Sequence, residues 1–561
     1  MFYENFLFVV ISLPIFLAIP TYKNGILTTP VCDGFDTESK GIGHFLYKYF
    51  QKHDTKTMQI DGFTGQKDTY ASALQRIIRI ALKMQEWGIT PNDTVSLCSL
   101  NHINTCVPVF ASLFIGAKLV CFDKMMNIVE SKLLLKQIDP KIMFVDQGAL
   151  EFVEKILMDS NKSIKIVVFG ESSKYDNFFD LLSPHPKENE FLPQEVDESE
   201  TALIFFSSGT TGMPKAIYLS HRAFLGQVAV YYNLNVPYDR SVTFTTFYWT
   251  LTHCLVGVLI IKGCCNILIH DIKDINVVWN AFSEHKPTYV ISTPYFIKSL
   301  WHSKPASIHV DYLKSMSIVG SIMTKHEMIE LRKDFPKTYI PLGYGSTEAG
   351  LLLHTETSTE KDLDFYNKKT ATIGSVLNGI SYKIVDIDTD EVLGPYKKGE
   401  LRVKTNNLLT GYYDSNRNNL FDADGWYKTG DIMYYDEDYY FYYVDRLKRM
   451  IKFRSFHVSP EMIENELMLR DDISNVCVIG IPHKLDEEHP MAIIELKKSS
   501  LTKNNLEKEI FRYVEEKLGD KFMLLGGIKI IDKIPITPSG KYNVRKLKSM
   551  FVENFKVTVE S

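Results

Sequence analysis

The stretch Ala202-Leu-Ile-Phe-Phe-Ser-Ser-Gly-Thr-Thr-Gly-Met-Pro-Lys215 changes chemistry abruptly at its sixth residue. Ala202–Phe206 is continuously apolar, as a strand buried on both faces should be. From Ser207 onward it carries hydroxyls, glycines and a lysine. Gly209 and Gly212 let the backbone bend and approach a ligand. Ser207, Ser208, Thr210, Thr211 and Lys215 offer donors to phosphate oxygens. The spacing is not that of a Walker A loop, G-x-x-x-x-G-K-[ST]. Most Ser/Thr-rich tracts are plain turns, but this one leaves a buried strand directly, which favours a phosphate-binding loop.

Working outward, helical and strand periods alternate. Tyr70 to Trp87 places apolar residues at helical spacing, as does Cys106 to Gly116. Short apolar runs at 94–100, 117–122, 165–170, 202–207 and 289–292 read as strands. This recurrence predicts an α/β fold with parallel-rich sheets. A strand-rich stretch, Ile380 to Tyr443, has turn signals at Asp388–Asp390, Asp422–Gly425 and Asp436–Asp438. Beyond Asp445–Arg449 the texture becomes compact α+β, with helices at 460–470 and 506–518 and strands at 476–481 and 491–497. Three regions are expected: a hydrophobic N-terminal segment 1–29, a large multi-subdomain N-terminal domain 30–445, and a small C-terminal domain 446–561.

The chain has 561 residues, 45% of them apolar and 23% charged, which excludes a disordered chain and a polytopic membrane protein. Its net charge of −5, without a sustained basic block, argues against a nucleic-acid partner. Eight cysteines, several inside apolar runs, read as buried thiols rather than a disulfide framework. No CxxC pair or HExxH occurs, which argues against a structural zinc site. The apolar run Phe6–Pro20 is short for a spanning helix. It reads equally as a secretory signal or membrane anchor and as a strand docked on the fold, so membrane association is an open expectation. The last residues, Val559-Glu560-Ser561, are not an SKL-type peroxisomal address.

Four further segments follow in order: Tyr344-Gly-Ser-Thr-Glu-Ala-Gly350, Trp426-Tyr-Lys-Thr-Gly-Asp431, Asp445-Arg-Leu-Lys-Arg-Met-Ile-Lys452 and Pro538-Ser-Gly-Lys541. With the Ser207 loop they resemble the adenylate-forming (AMP-binding) superfamily over about residues 30–550, nearest its luciferase-like and acyl-CoA synthetase branch. The resemblance implies an ATP-dependent ligase that makes an acyl-adenylate and then a thioester with coenzyme A. It implies a small C-terminal domain that turns between the two steps, and peroxisomes as the common address.

The resemblance assigns roles residue by residue. Ser207, Ser208, Gly209, Thr210, Thr211, Gly212 and Lys215 would cradle phosphates, Gly343, Tyr344 and Gly345 would flank adenine, and Asp431 and Arg446 would hold the ribose. Thr347 would contact the α-phosphate and Glu348 would help hold Mg2+. Lys541 would bridge carboxylate and α-phosphate during adenylation, Lys448 would mark the hinge, and Lys452 would face the site after rotation. Trp249, Thr250, Gly320, Ser321 and Ile322 fall on the acyl pocket, and Trp249, Ile322, Leu351 and Leu352 suggest an apolar wall for a fatty or aryl-propenoic acid. Ser455 replaces the glycine that lies beside the pantetheine passage. Two other readings stay open: a luciferase-like oxygenase, and a non-catalytic homologue that binds acyl groups or nucleotides.

Overall fold

The structure, a computed structural model, describes residues 20–30, 40–158, 163–206, 215–270, 274–321, 323, 325–355, 369, 371–412, 420–453, 456–497, 506–537 and 541–552. Two large sheets and one small one organise these residues. The first large sheet has a parallel core in the order Thr57–Asp61, Cys265–Leu268, Arg240–Thr243, Tyr289–Ser292, Ser315–Val319 and Leu342–Ser346, then continues through antiparallel strands. The second runs parallel through Thr201–Phe206, Lys118–Cys121, Thr94–Cys98, Ile142–Asp146 and Lys165–Phe169.

The largest apolar cluster draws on both sheets, Leu97 and Leu119 from one and Tyr289 and Ile291 from the other. Helices fill it. Thr250–Lys262 is buried all round from Thr252 to Ile261, which its nearly uninterrupted apolar sequence requires. Tyr70–Glu86 is amphipathic, and the Thr69 hydroxyl caps its start by accepting from Ser72 N–H. Of the described cysteines all are free thiols, and only Cys264 is less than fully buried.

The Ser207 loop joins an antiparallel pair, since Phe206 lies opposite Ala216 across Thr201–Phe206 and Ala216–Ser220. Residues 207–214 themselves lie outside the described residues. At the other end of the chain, Thr21–Lys23 and Ile26–Thr28 form a hairpin that pairs with Ser381–Val385, burying Leu27. The region 1–29 is thus divided, its last residues being part of the large sheet. Among the described residues no helix is long and apolar enough to cross a membrane; Phe6–Ala18 and residue 19 fall outside them, so the apolar run stays untested.

The large body's last strand, Tyr440–Arg446, leads through a single turn, Leu447–Arg449, into the small sheet. That sheet contains Ile451–Phe453, Phe456–Val458, Ile473–His483, Glu487–Leu496 and Gly527–Ile530, covered by helices Pro460–Leu467 and Leu506–Leu518. The junction is tied rather than loose. The fully buried Asp445 carboxylate accepts from Ser459 Oγ at 2.8 Å and Glu461 N–H at 3.1 Å. Arg449 donates to Glu464 at 2.7 Å. Lys448 lies between these two anchored residues.

Candidate active site

The antiparallel strands Tyr427–Tyr435 and Tyr440–Arg446 set Asp431 directly opposite Arg446. Arg446 Nε donates to Asp431 Oδ1 at 3.0 Å, and the Tyr344 hydroxyl donates to Asp431 Oδ2 at 2.5 Å. Tyr344 comes from a distant strand, Leu342–Ser346, so a hairpin and a separate segment meet at one carboxylate. The Asp431 side chain is 3% exposed and that of Arg446 is 44% exposed, which leaves the guanidinium facing open space. Burial pushes the Asp431 carboxyl up, and the nearby Arg446 charge is the strongest force pulling it back. Asp431 in turn raises the Arg446 guanidinium, and burial followed by Asp431 holds the Tyr344 phenol well above its ordinary range.

Lys541, from the small domain, enters this same field. Burial by the surrounding protein lowers its ammonium below the ordinary lysine range, Arg446 adds to that, and Asp431 and Glu348 oppose it. The residue nevertheless keeps solvent-accessible surface. Glu348 follows the Leu342–Ser346 strand and its carbonyl accepts Leu409 N–H at 2.7 Å. Tyr344, Glu348, Asp431, Arg446 and Lys541 therefore converge from both domains.

Close packing explains the glycines here. A Cβ on Gly345 would lie 2.3 Å from the Gly350 carbonyl oxygen, so the tight hairpin between Leu342–Ser346 and Gly350–His354 admits no side chain at that position. Gly320 has φ +89°, a left-handed backbone that favours glycine. Gly343 packs beneath Val319, Leu351 and His354. Two hydroxyls, Ser346 Oγ at the end of the strand Leu342–Ser346 and Thr250 Oγ1 at the start of the helix Thr250–Lys262, are buried without a hydrogen-bond partner. Such orphaned groups suit a place where a polar ligand completes the bonding.

The other expected positions vary in their surroundings. Lys452 is exposed on the small sheet, its N–H donating to Glu488 Oε2 at 3.0 Å. The apolar wall also needs correction: Leu351 and Leu352 are consecutive in the strand Gly350–His354, so they point to opposite faces, and both are buried in the main core. They cannot line one wall together. Trp249 precedes the helix Thr250–Lys262, half-buried with its ring edge-on to Tyr248 at 5.0 Å. Ser321 is exposed and Thr347 half-buried, while Lys215, the first described residue after 207–214, is exposed. Ile322 and Ser455 lie outside the described residues, as do Ser207 to Gly212.

One contact had no sequence signal. Arg545, in the helix Val544–Phe551, donates to Glu130 Oε1 at 2.7 Å. Glu130 lies in the first turn of the large-domain helix Ile128–Ile138, 415 positions earlier. The pair fastens the small domain four residues beyond Lys541.

Residues 47–413 match the family model of the AMP-binding enzyme, and residues 462–541 match that of the AMP-binding enzyme C-terminal domain. The chain belongs to the AMP-binding enzyme family. Among curated members it is similar to luciferin 4-monooxygenase of Photinus pyralis, 27% identical over 86% of this chain and 89% of that protein. It is also similar to peroxisomal OPC-8:0-CoA ligase 1 of Arabidopsis thaliana, 26% identical over 90% of this chain and 93% of the other. A solved structure of the luciferase-like enzyme from the nonluminescent Zophobas morio mealworm matches at 33% identity and TM-score 0.71, covering 76% of this chain and 99% of that one. The anthranilate CoA ligase AuaEII, solved with anthranoyl-AMP, shares the fold at TM-score 0.79 and 19% identity, over 90% of this chain and 97% of that one. This AMP-binding enzyme thus has the large and small domains of adenylate-forming enzymes.

Proposed function

We propose that this AMP-binding enzyme is an ATP-dependent, AMP-forming acid–thiol ligase. A carboxylate oxygen attacks the α-phosphorus of ATP, the bond to the bridging oxygen breaks, and pyrophosphate leaves. The thiolate of coenzyme A then attacks the acyl carbonyl, and AMP leaves. The observation that carries this reading is the buried Asp431 carboxylate held by Arg446 and Tyr344, with the charge of Lys541 brought near it from the small domain. A cation there brings two anions together and favours the more highly charged transition state. Asp431 and Arg446 offer an acceptor and a donor suited to ribose hydroxyls, and Tyr344 fixes the carboxylate. Mg2+ held by Glu348 would offset phosphate charge as the bond breaks.

A panel of carboxylic acids, fatty and aryl-propenoic, assayed for pyrophosphate release with and without coenzyme A, tests the reading. Acyl-CoA and AMP should form in equal amounts. Pyrophosphate release with no thioester from any acid would remove the ligase assignment. Similarity to luciferin 4-monooxygenase of Photinus pyralis favours a second reading, oxygenation of an adenylate, whose sign is ATP-dependent oxygen uptake or light with a luciferin.

The Glu130–Arg545 pair makes a further prediction. Its side chains are 21% and 29% exposed, so its worth is that of a partly screened ion pair, up to ~1 kcal/mol. Glu130→Gln should slow adenylation by about two- to fivefold and spare thioester formation from a supplied adenylate. Exchanging the charges, Glu130→Arg with Arg545→Glu, should restore much of the loss. Equal slowing of both half-reactions would show that the pair does not select this domain arrangement.

A further inference from the structure

The small domain's long hairpin holds a cluster that the proposed reaction does not use. Strands Ile473–His483 and Glu487–Leu496 pair antiparallel, with His483 opposite Glu487 and Ile481 opposite His489. The chain turns back through Lys484, Leu485 and Asp486. This register gathers His483, Asp486 and His489 at the tip.

Their geometry is specific. His489 Nε2 lies 2.8 Å from Asp486 Oδ2, and His483 Nδ1 lies 3.4 Å from the same oxygen. The two imidazoles stack with centroids 3.8 Å apart and planes at 20°. One ligand atom from each residue lies within 4.8 Å of the other two. Donors bound at ~2.0–2.1 Å to a tetrahedral ion stand roughly 3.3 Å from one another. The 2.8 and 3.4 Å separations bracket that value. Asp486 and His489 are partly sheltered, with side chains 18% and 15% exposed, whereas that of His483 is 39% exposed and leaves one side open to water.

We propose that His483, Asp486 and His489 form a binding site for a divalent transition ion of the zinc class, with a remaining position open to solvent. Two imidazole nitrogens and one carboxylate oxygen suit zinc, cobalt, nickel or copper. Magnesium and calcium prefer oxygen-only sets, so this site is chemically distinct from a phosphate-bound Mg2+. Without an ion, the residues act as a hairpin clasp in which Asp486 N–H donates to His483 Nδ1 at 3.2 Å. An ion at Nδ1 replaces that long contact with a stronger bond. The ring of Phe453 packs edge-on against His489 at 5.7 Å, and the adjoining Glu488 accepts Lys452 N–H. Metal binding therefore stiffens the hairpin against the strand that carries Lys452.

The test uses the full chain, stripped with a chelator and desalted. Zn2+ is titrated calorimetrically, and Co2+ is followed by visible absorption. One equivalent of Zn2+ should bind, and Co2+ should give the intense bands of a four-coordinate site. His489→Asn and Asp486→Asn should each weaken Zn2+ binding at least about tenfold, because loss of even an outer-shell partner costs that much. His483→Gln, at the exposed tip, is the variant least able to disturb folding and should do the same. Acid-dependent pyrophosphate release should be unchanged in all three, and unchanged thermal melting shows that the fold is intact. Absence of Zn2+ binding at micromolar concentrations, equal binding by wild type and the folded variants, or a six-coordinate all-oxygen Co2+ spectrum would each overturn the site.

Discussion

Lys541→Ala should lower acid-dependent pyrophosphate release by about 10²–10³-fold, the loss expected when one preorganised charge donor is removed from a transition state. The variant should fold normally, because Lys541 keeps solvent-accessible surface and belongs to no apolar core cluster. Conversion of a supplied acyl-adenylate to thioester should persist, since that step does not require a cation between carboxylate and phosphate. Equal loss of both half-reactions would defeat the assignment. The same residue sets a pH dependence. The active form is the ammonium, and burial, with Arg446 nearby, depresses its affinity for the proton. As pH rises, the charge is lost earlier than for an ordinary lysine at ~10.4. The alkaline limb of kcat/KM for adenylation, which reports the free enzyme, should therefore fall below that value and disappear in Lys541→Ala. A limb at or above the ordinary lysine value would contradict the depressed ammonium.

Asp431→Ala should raise KM for ATP by about 10–100-fold, from the loss of charge-assisted hydrogen bonds worth ~1.5–3 kcal/mol. Arg446 and Tyr344 both donate to this carboxylate, and its side chain is 3% exposed. Truncation therefore leaves two donors without their acceptor and should also cost ~1–3 kcal/mol of stability. Asp431→Asn keeps the size and one carbonyl oxygen, so it should retain most of the stability while still binding ATP poorly. Thermal melting read beside KM separates the two effects. A folded Ala variant with unaltered KM for ATP would remove Asp431 from nucleotide binding.

Several elements were legible because their signal is local. The strand at Tyr289–Ser292 and the helix at Leu506–Leu518 sit at the residues that the apolar pattern indicates. Helix Tyr70–Glu86 ends one residue short of its expected end, Trp87, which serves as its C-cap. The expected strand 476–481 is part of a longer one, Ile473–His483, and the expected 491–497 begins four residues late and ends one late against Glu487–Leu496; the added polar ends carry no apolar alternation. That extension is what brings His483 and His489 together, and it escaped the periodicity for the same reason.

By itself the sequence determined the alternation of helices and strands, the buried strand before the Ser207 loop and the ordered set of segments that marks the family. Those features depend on side-chain chemistry at neighbouring positions, which a linear reading carries in full. The tertiary structure alone decided that Asp431 faces Arg446 and receives Tyr344, that Lys541 shares their field, and that Glu130 meets Arg545. It also decided that Leu351 and Leu352 belong to opposite faces of one strand. Each is a matter of strand register, pleat or domain orientation. The physical reason is that register and orientation are set by the whole buried surface and its hydrogen-bond ladders, not by the residues adjacent in the chain.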